Sequence, residues 1–302
     1  MRLRFRIALS IALAGSLAGC RQTEEAIAAQ AKQVAAKRKQ VLQGRLAEAD
    51  SFPTKVKPVA RWVLPKELAE ISGLALTSDG QLLTHGDEQA LIYIIDPMTG
   101  IVTSNFHVGR GLRGDFEGIT TAGSDIWLMQ SNGKLYRFQR GANGARVPFE
   151  VRDTKLGKEC EFEGVVYQPD SAWLVMPCKH ITQKGVSDDQ LLLYRVHLQG
   201  SRAGSISQLS VPIEQVIGDN KWKKFEASDI TIDPNTGNYV IIASQQKALI
   251  VMTPDGVVIR TGPLHGRHLQ AEGVAITRDN ILIVSDEATD EPAVITLFRW
   301  RP

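Results

Sequence analysis

Apolar and polar positions follow two regimes along this chain. Residues 7–17 are almost wholly apolar. Residues 21–50 are then rich in Ala, Gln, Lys and Glu, with one Gly and no Pro, and this composition predicts a helix. Its apolar positions, Ile27, Val34, Leu42 and Leu46, form a narrow stripe that suits a frayed tether and a partner-docking or coiled-coil helix equally. Ser51-Phe52-Pro53 ends it. From residue 54 onward short β-type runs are punctuated by Gly, Asp, Asn and Pro.

Those runs repeat. Five segments stack: Glu70-Ile71-Ser72-Gly73-Leu74, Asp115-Phe116-Glu117-Gly118-Ile119, Glu161-Phe162-Glu163-Gly164-Val165, Glu226-Ala227-Ser228-Asp229-Ile230 and Gln270-Ala271-Glu272-Gly273-Val274. Their third residues lie 45, 46, 65 and 44 positions apart, a spacing that suits one four-stranded blade per repeat. Each segment is followed by a second strand, such as Tyr239 to Ile242, and a third, such as Leu249 to Met252. The interval of 65 holds an insertion at Lys179 to Asp189 and a longer outer region near Ser205 to Ile217, which predicts an enlarged third blade rather than a sixth. The last repeat stops after three strands, and the run from Lys55 to Leu64 is predicted to complete it. The expected fold is therefore all-β, a five-bladed β-propeller closed by an N-terminal strand, over residues 54–302 and preceded by a helical tether. Closure of this kind removes exposed sheet edges.

Arg2, Arg4 and Arg6 precede the first apolar run, and Leu17-Ala18-Gly19-Cys20 follows it. This is the pattern of a signal peptide over residues 1–19 ending in a lipoprotein-type box, so cleavage before Cys20 and acylation of its thiol are expected, with residues 20–53 as acylated cysteine and helical spacer. The expected location is the cell envelope, anchored to a membrane through lipid. Arg21 rather than Asp after the cysteine favours the periplasmic face of the outer membrane in a Gram-negative cell.

Without residues 1–19 the chain carries 32 Lys and Arg against 33 Asp and Glu, a formal charge of −1, and leaves no nucleic-acid footprint. Two cysteines, Cys160 and Cys178, remain for an oxidising compartment; a turn at Pro169-Asp170 would bring their strands into near register, and the alternatives are a disulfide and two buried thiols.

The stacked segments, with Thr84-His85-Gly86-Asp87-Glu88, Asp233-Pro234-Asn235-Thr236-Gly237 and Val284-Ser285-Asp286-Glu287, resemble the SdiA-regulated propeller family, whose fold is akin to the phytase-like propellers. The similarity covers about residues 58 to 300. The resemblance implies a calcium-binding propeller at the cell envelope.

In a propeller the first strand of each blade lines the axis, and alternate side chains share a face. The first and third columns of the repeat then form two rings, with Asp115, Glu117, Glu161, Glu163 and Glu272 among seven carboxylates in ten positions. Carboxylates converging there take up protons or bind a cation; Ca²⁺ is the expected ion and Mg²⁺ its substitute, against a water-filled channel satisfied by amides and lysines. Upstream of these strands lie Arg110, Arg113, Lys158, Lys224, Arg267 and His268, and the loops after each second strand add His85, Asp87, Glu88, Lys179, His180, Gln245, Asp286 and Glu287. These residues are expected to crown the mouth as a rim for an anionic small molecule or an envelope protein, with His85 and His180 as candidate bases.

No nucleophile elbow, zinc-protease, Cys-x-x-Cys, phosphate-loop or dinucleotide motif is present. The leading expectation is a non-catalytic Ca²⁺-binding envelope propeller. The alternative is a Ca²⁺-dependent phosphoester hydrolase in which Glu117, Glu163 and Glu272 hold the metal.

Overall fold

The computed structural model describes the backbone of residues 7–54 and 56–301, and the side chains of these residues except 7–25 and 27. Arg2, Arg4 and Arg6 and the thiol of Cys20 therefore lie outside the described residues. One helix, α1 (Ile7–Ser51), precedes the strands. Among the described residues no helix is long and apolar enough to cross a membrane.

The strands form five sheets arranged as the blades of a propeller, antiparallel except where Arg146–Val147 pairs parallel with the outer strand Ile101–Val108 of blade 1. Their inner strands begin at Ile71–Leu76, Phe116–Ala122, Cys160–Phe162 with Val166–Gln168, Asp229–Ile232 and Ala271–Ile276. β-Branched runs such as Tyr239–Ala243 fill the middle of each blade and are buried throughout, as a strand covered on both faces requires. Five hydrophobic clusters hold the ring, one between each neighbouring pair of blades. The strand Pro58–Val63 pairs antiparallel with Val294–Arg299 and supplies the fourth strand of blade 5, so the two ends of the propeller close the ring on each other. Blade 3 is the enlarged one: a loop follows Trp173–Ile181, and the short helix α2 (Ile213–Ile217) follows its outer strand. Cys160 and Cys178 are joined as a disulfide across this blade, with Cα atoms 5.7 Å apart.

Helix α1 does more than tether. Leu42 is fully buried against blades 5 and 1, with Leu46 and Ala49 beside it. Asp50 takes two hydrogen bonds from Arg299, Lys39 pairs with Asp96 at 3.0 Å, and Arg38 donates to the Thr99 carbonyl while its guanidinium lies over Trp62. Its carboxy-terminal end therefore packs on the propeller of its own chain, an arrangement that neither a frayed tether nor a partner-docking helix describes.

Candidate functional site

The inner strands meet at the axis on glycine. A Cβ on Gly73 would stand 3.0 Å from the Gly118 Cα, and one on Gly118 would stand 2.8 Å from the Gly164 carbonyl carbon. Blade 4 breaks the column with Asp229, whose fully buried carboxylate accepts the amides of Ile230, Val274 and Leu74, from blades 4, 5 and 1. The axis is therefore floored rather than open. Above the floor lies a cavity of about 210 Å³ bordered by Glu163, Lys179, Glu226, Ser228 and Glu272; below it lies a separate hollow lined by Leu74, Ile119, Val165, Ile230 and Ile276. The acidic central channel expected from the sequence is narrowed at this level by the glycines and Asp229 into an upper throat.

One-residue slips of register surround the throat. In blades 2 and 5 the extra residue is Glu117 and Glu272, respectively, and in blade 1 it falls at Ser72-Gly73. In blade 3 a slip falls on the second strand, at Lys179. Bulges re-aim side chains, and here they turn carboxylates and one lysine toward the axis.

The throat carboxylates crowd one another. Burial, and then the neighbouring Glu163 and Asp115, push Glu117 up to about 9. Burial and Glu163 push Glu272 up to about 8. Burial raises Glu163 to about 7, although Lys179 pulls it down. The Lys179 ammonium hydrogen-bonds Glu163 Oε1; burial opposes its charge, but Glu163, Glu272 and Glu161 outweigh burial and raise its pKa. Ser72 donates to Glu117 Oε2 at 3.4 Å. Glu226 resists the cost of burial through hydrogen bonds from Lys224 and Gln246, which hold its pKa low. Glu163 Oε2 is buried and has no hydrogen-bond partner.

At the mouth a second acidic group forms on blades 1 and 5. Asp87, then burial and Glu88, raise Glu70, while burial, Asp87 and Glu70 raise Glu287, which accepts the Gln270 amide. Asp115 is exposed and bonded to Ser131, and Glu161 is half-buried.

The rim departs from expectation. His85 is fully buried in the second strand of blade 1, where burial lowers it to about 4 and Nδ1 meets the Gly86 carbonyl, so it is no solvent-facing base. Asp286 and His268 are also buried, paired with each other at 2.7 Å. Both belong to blade 5 packing, not to the rim. Arg110, Arg113, Lys158, Lys224, Arg267, Glu88 and Gln245 are exposed, but Arg113 pairs with Glu88, Arg267 with Glu291 and Lys224 with Glu226. The crown is thus largely neutralised by local acids. His180 is exposed, 3.5 Å from Glu226.

Calcium takes six to eight oxygens in close convergence. Glu117, Glu163 and Glu272 supply the right donor type, but Lys179 sits among them, and among the described residues no group of three or more His, Cys, Asp and Glu could hold one metal ion. As arranged, these residues do not fit a protein-held calcium ion, and no chemistry is routed through one.

The propeller is similar in fold to several solved structures, all at low identity. Glutaminyl cyclase from Myxococcus xanthus matches at 12% identity and TM-score 0.53, covering 82% of this chain and 97% of that one. A PQQ-bound aldose sugar dehydrogenase from Streptomyces coelicolor matches at 12% and 0.50, covering 81% and 98%. A luciferin-regenerating enzyme matches at 10% and 0.50, covering 80% and 95%. At these identities the likeness concerns the fold alone. No curated protein matches by sequence. Over residues 208–299, which span the outer strand of blade 3 and all of blade 4 and end in blade 5, the chain matches the model of the SdiA-regulated family.

Proposed function

We propose that the chain is a non-catalytic binding propeller whose upper throat recognises a cation. The observation that carries this reading is Glu163. The residue is 5% exposed and borders the throat cavity; one of its oxygens meets Lys179, and the other is buried without a donor. An unsatisfied buried acceptor costs on the order of 1–3 kcal/mol, more when charged, and a positive guest removes that cost. Burial first, and then the neighbouring acids, penalise the charged forms of Glu117, Glu163 and Glu272, and a positive guest beside them would offset that penalty.

The test is thermal unfolding of the full chain in EDTA, then with Ca²⁺, Mg²⁺ or ammonium salts, and separately with phosphate. A guest that binds only the native state raises stability, by about 2.7 kcal/mol at a hundred times its dissociation constant. A cation-dependent rise that Glu163→Gln removes is expected. A rise with phosphate and none with any cation would overturn the reading. For the phosphoester-hydrolase alternative the check is an ester panel with added Ca²⁺; turnover abolished by Glu117→Gln would replace the binding module with an enzyme.

We propose further that acylated Cys20 ties the protein to the cell envelope. A helix rising 1.5 Å per residue from Cys20 to the docked Arg38 sets a reach of roughly 27 Å between anchor and propeller. Incorporation of labelled palmitate that Cys20→Ala abolishes is the expected result.

A further inference from the structure

We infer that the groove between helix α1 and the closing strand Pro58–Val63 takes one anionic phospholipid, its acyl part on the apolar floor and its phosphate among the cations that border it. This site is separate from the throat and stands independently of the cation reading above.

The groove follows from the periodicity of the helix. Val34, Lys37, Arg38, Val41, Leu42 and Arg45 recur at steps of three and four residues and so share one face. Leu42 is the member that reaches the core and is fully buried between blades 5 and 1. Val34 and Val41 are left 43% and 44% exposed. With Val59 and Trp62 of the strand they line a trough of about 450 Å³, a size within the range of small-molecule sites. Trp62 already gives its indole N–H to the Pro97 carbonyl at 3.0 Å, so what it offers the trough is hydrocarbon.

Every charged residue that lines the trough is basic: Lys37, Arg38, Arg45 and Arg61. Only Arg61 meets a carboxylate, that of Glu291 at 3.0 Å, and it shares this acid with Arg267. Arg38 meets the neutral carbonyl of Thr99 and the ring of Trp62, and Arg45 meets the Val59 carbonyl at 3.3 Å. Lys37 has no hydrogen bond or ion pair with another described residue. The neighbouring Lys39, outside the trough, is answered by Asp96.

Apolar surface and unmatched positive charge in one trough select the ligand. A bare phosphate would leave the valines in water. An uncharged lipid would leave three cations without an anion, and an acidic peptide would bring polar backbone onto the apolar floor. A phospholipid of net negative charge supplies both parts, and Lys and Arg attract such headgroups. The anchor proposed at Cys20 enters the same helix fourteen positions before Val34, about 21 Å away at 1.5 Å per residue, which keeps lipid within reach.

The experiment is isothermal titration of the full chain with dihexanoylphosphatidylglycerol below its micelle concentration, beside zwitterionic dihexanoylphosphatidylcholine and glycerol phosphate. One saturable site for the anionic lipid is expected, at least tenfold tighter than for either comparison. Lys37→Glu and Val41→Asp, both at exposed positions, are each expected to weaken it at least tenfold, and Lys37→Arg to keep it. Where Val41→Asp undocks the helix, as faster trypsin cleavage would show, the contrast of Lys37→Glu with Lys37→Arg decides. Equal binding of the zwitterionic lipid, or unchanged affinity in Lys37→Glu, would overturn the inference. Glycerol phosphate binding as tightly as the phospholipid would make this a simple anion site and overturn the lipid. Self-association of the lipid-free chain that Val41→Asp abolishes would give the groove to a second copy instead, and absence of binding by the anionic lipid would remove the site; neither result bears on the throat.

Discussion

Asp229 Oδ2 accepts the backbone amide of Val274 at 2.7 Å, across the boundary between blades 4 and 5. Its other oxygen takes the Ile230 amide at 2.8 Å, and the Leu74 amide of blade 1 also points at the carboxylate. One side chain therefore serves three blades at the point where four others place glycine. Asp229→Asn turns one acceptor into a donor facing an amide, and is expected to destabilise the propeller by about 1–3 kcal/mol. Asp229→Ala leaves every one of those amides unpaired and should cost more. Urea unfolding read by tryptophan fluorescence checks both; an unchanged midpoint would mean that the floor does not depend on this residue.

The ring was legible in the sequence because the inner-strand segment recurs at blade spacing and each glycine marks a place where strands crowd the axis. The missing strand of the last blade was legible from simple counting. Lys179 was not read as a throat residue, since its direction depends on a one-residue slip opposite Glu161 and Phe162 that leaves no periodic trace. Burial of His85 escaped for a related reason: Leu82, Leu83 and Thr84 are as buried as the histidine, so the strand shows no alternation to assign a face. Asp229 offered a signal that was available, being the exception in a column of Gly73, Gly118, Gly164 and Gly273.

The raised carboxyls make stability fall with pH. A carboxyl whose pKa is higher in the folded state binds more protons there than in the unfolded chain, so its contribution is fully present below the unfolded value of about 4.5 and is lost as pH rises through the folded value. With Glu163 near 7, Glu272 near 8 and Glu117 near 9, the loss runs from about pH 5 to pH 9. Thermal unfolding should therefore drop steadily over that window. Glu117→Gln mimics the protonated form and should raise the midpoint at pH 9 while leaving it nearly unchanged at pH 5. A gain of about 1 kcal/mol corresponds to roughly 2–4 °C in a chain of this size. A flat profile in the wild type would contradict the crowding of these groups.

The Cys160–Cys178 disulfide closes a loop across 18 positions beneath the Lys179 bulge. Loop-closure entropy for that length is worth about 3 kcal/mol. Reduction, or Cys160→Ser with Cys178→Ser, should lower the unfolding temperature accordingly. It should also loosen the position of Lys179, which hydrogen exchange at residues 178–181 would detect as faster amide turnover. Unaltered exchange there would separate the disulfide from the throat.

Helix α1 is bound to the propeller through a small patch, and its attachment is measurable apart from global stability. Leu42 is fully buried, and the surrounding links, Asp50 to Arg299, Lys39 to Asp96 and Arg45 to the Val59 carbonyl, are largely solvent-exposed. Exposed ion pairs contribute roughly 0–1 kcal/mol each, so the apolar contact dominates. Leu42→Ala removes about 2–5 kcal/mol of packing, and each 1.4 kcal/mol is tenfold in the docked-to-undocked ratio. Limited trypsin digestion at Lys37, Arg38 and Lys39 should accelerate by more than tenfold in that variant. The blades keep their own inter-blade clusters and should unfold within a few degrees of wild type. A large fall in the propeller's own unfolding temperature would instead make the helix an integral part of the closure between blades 5 and 1.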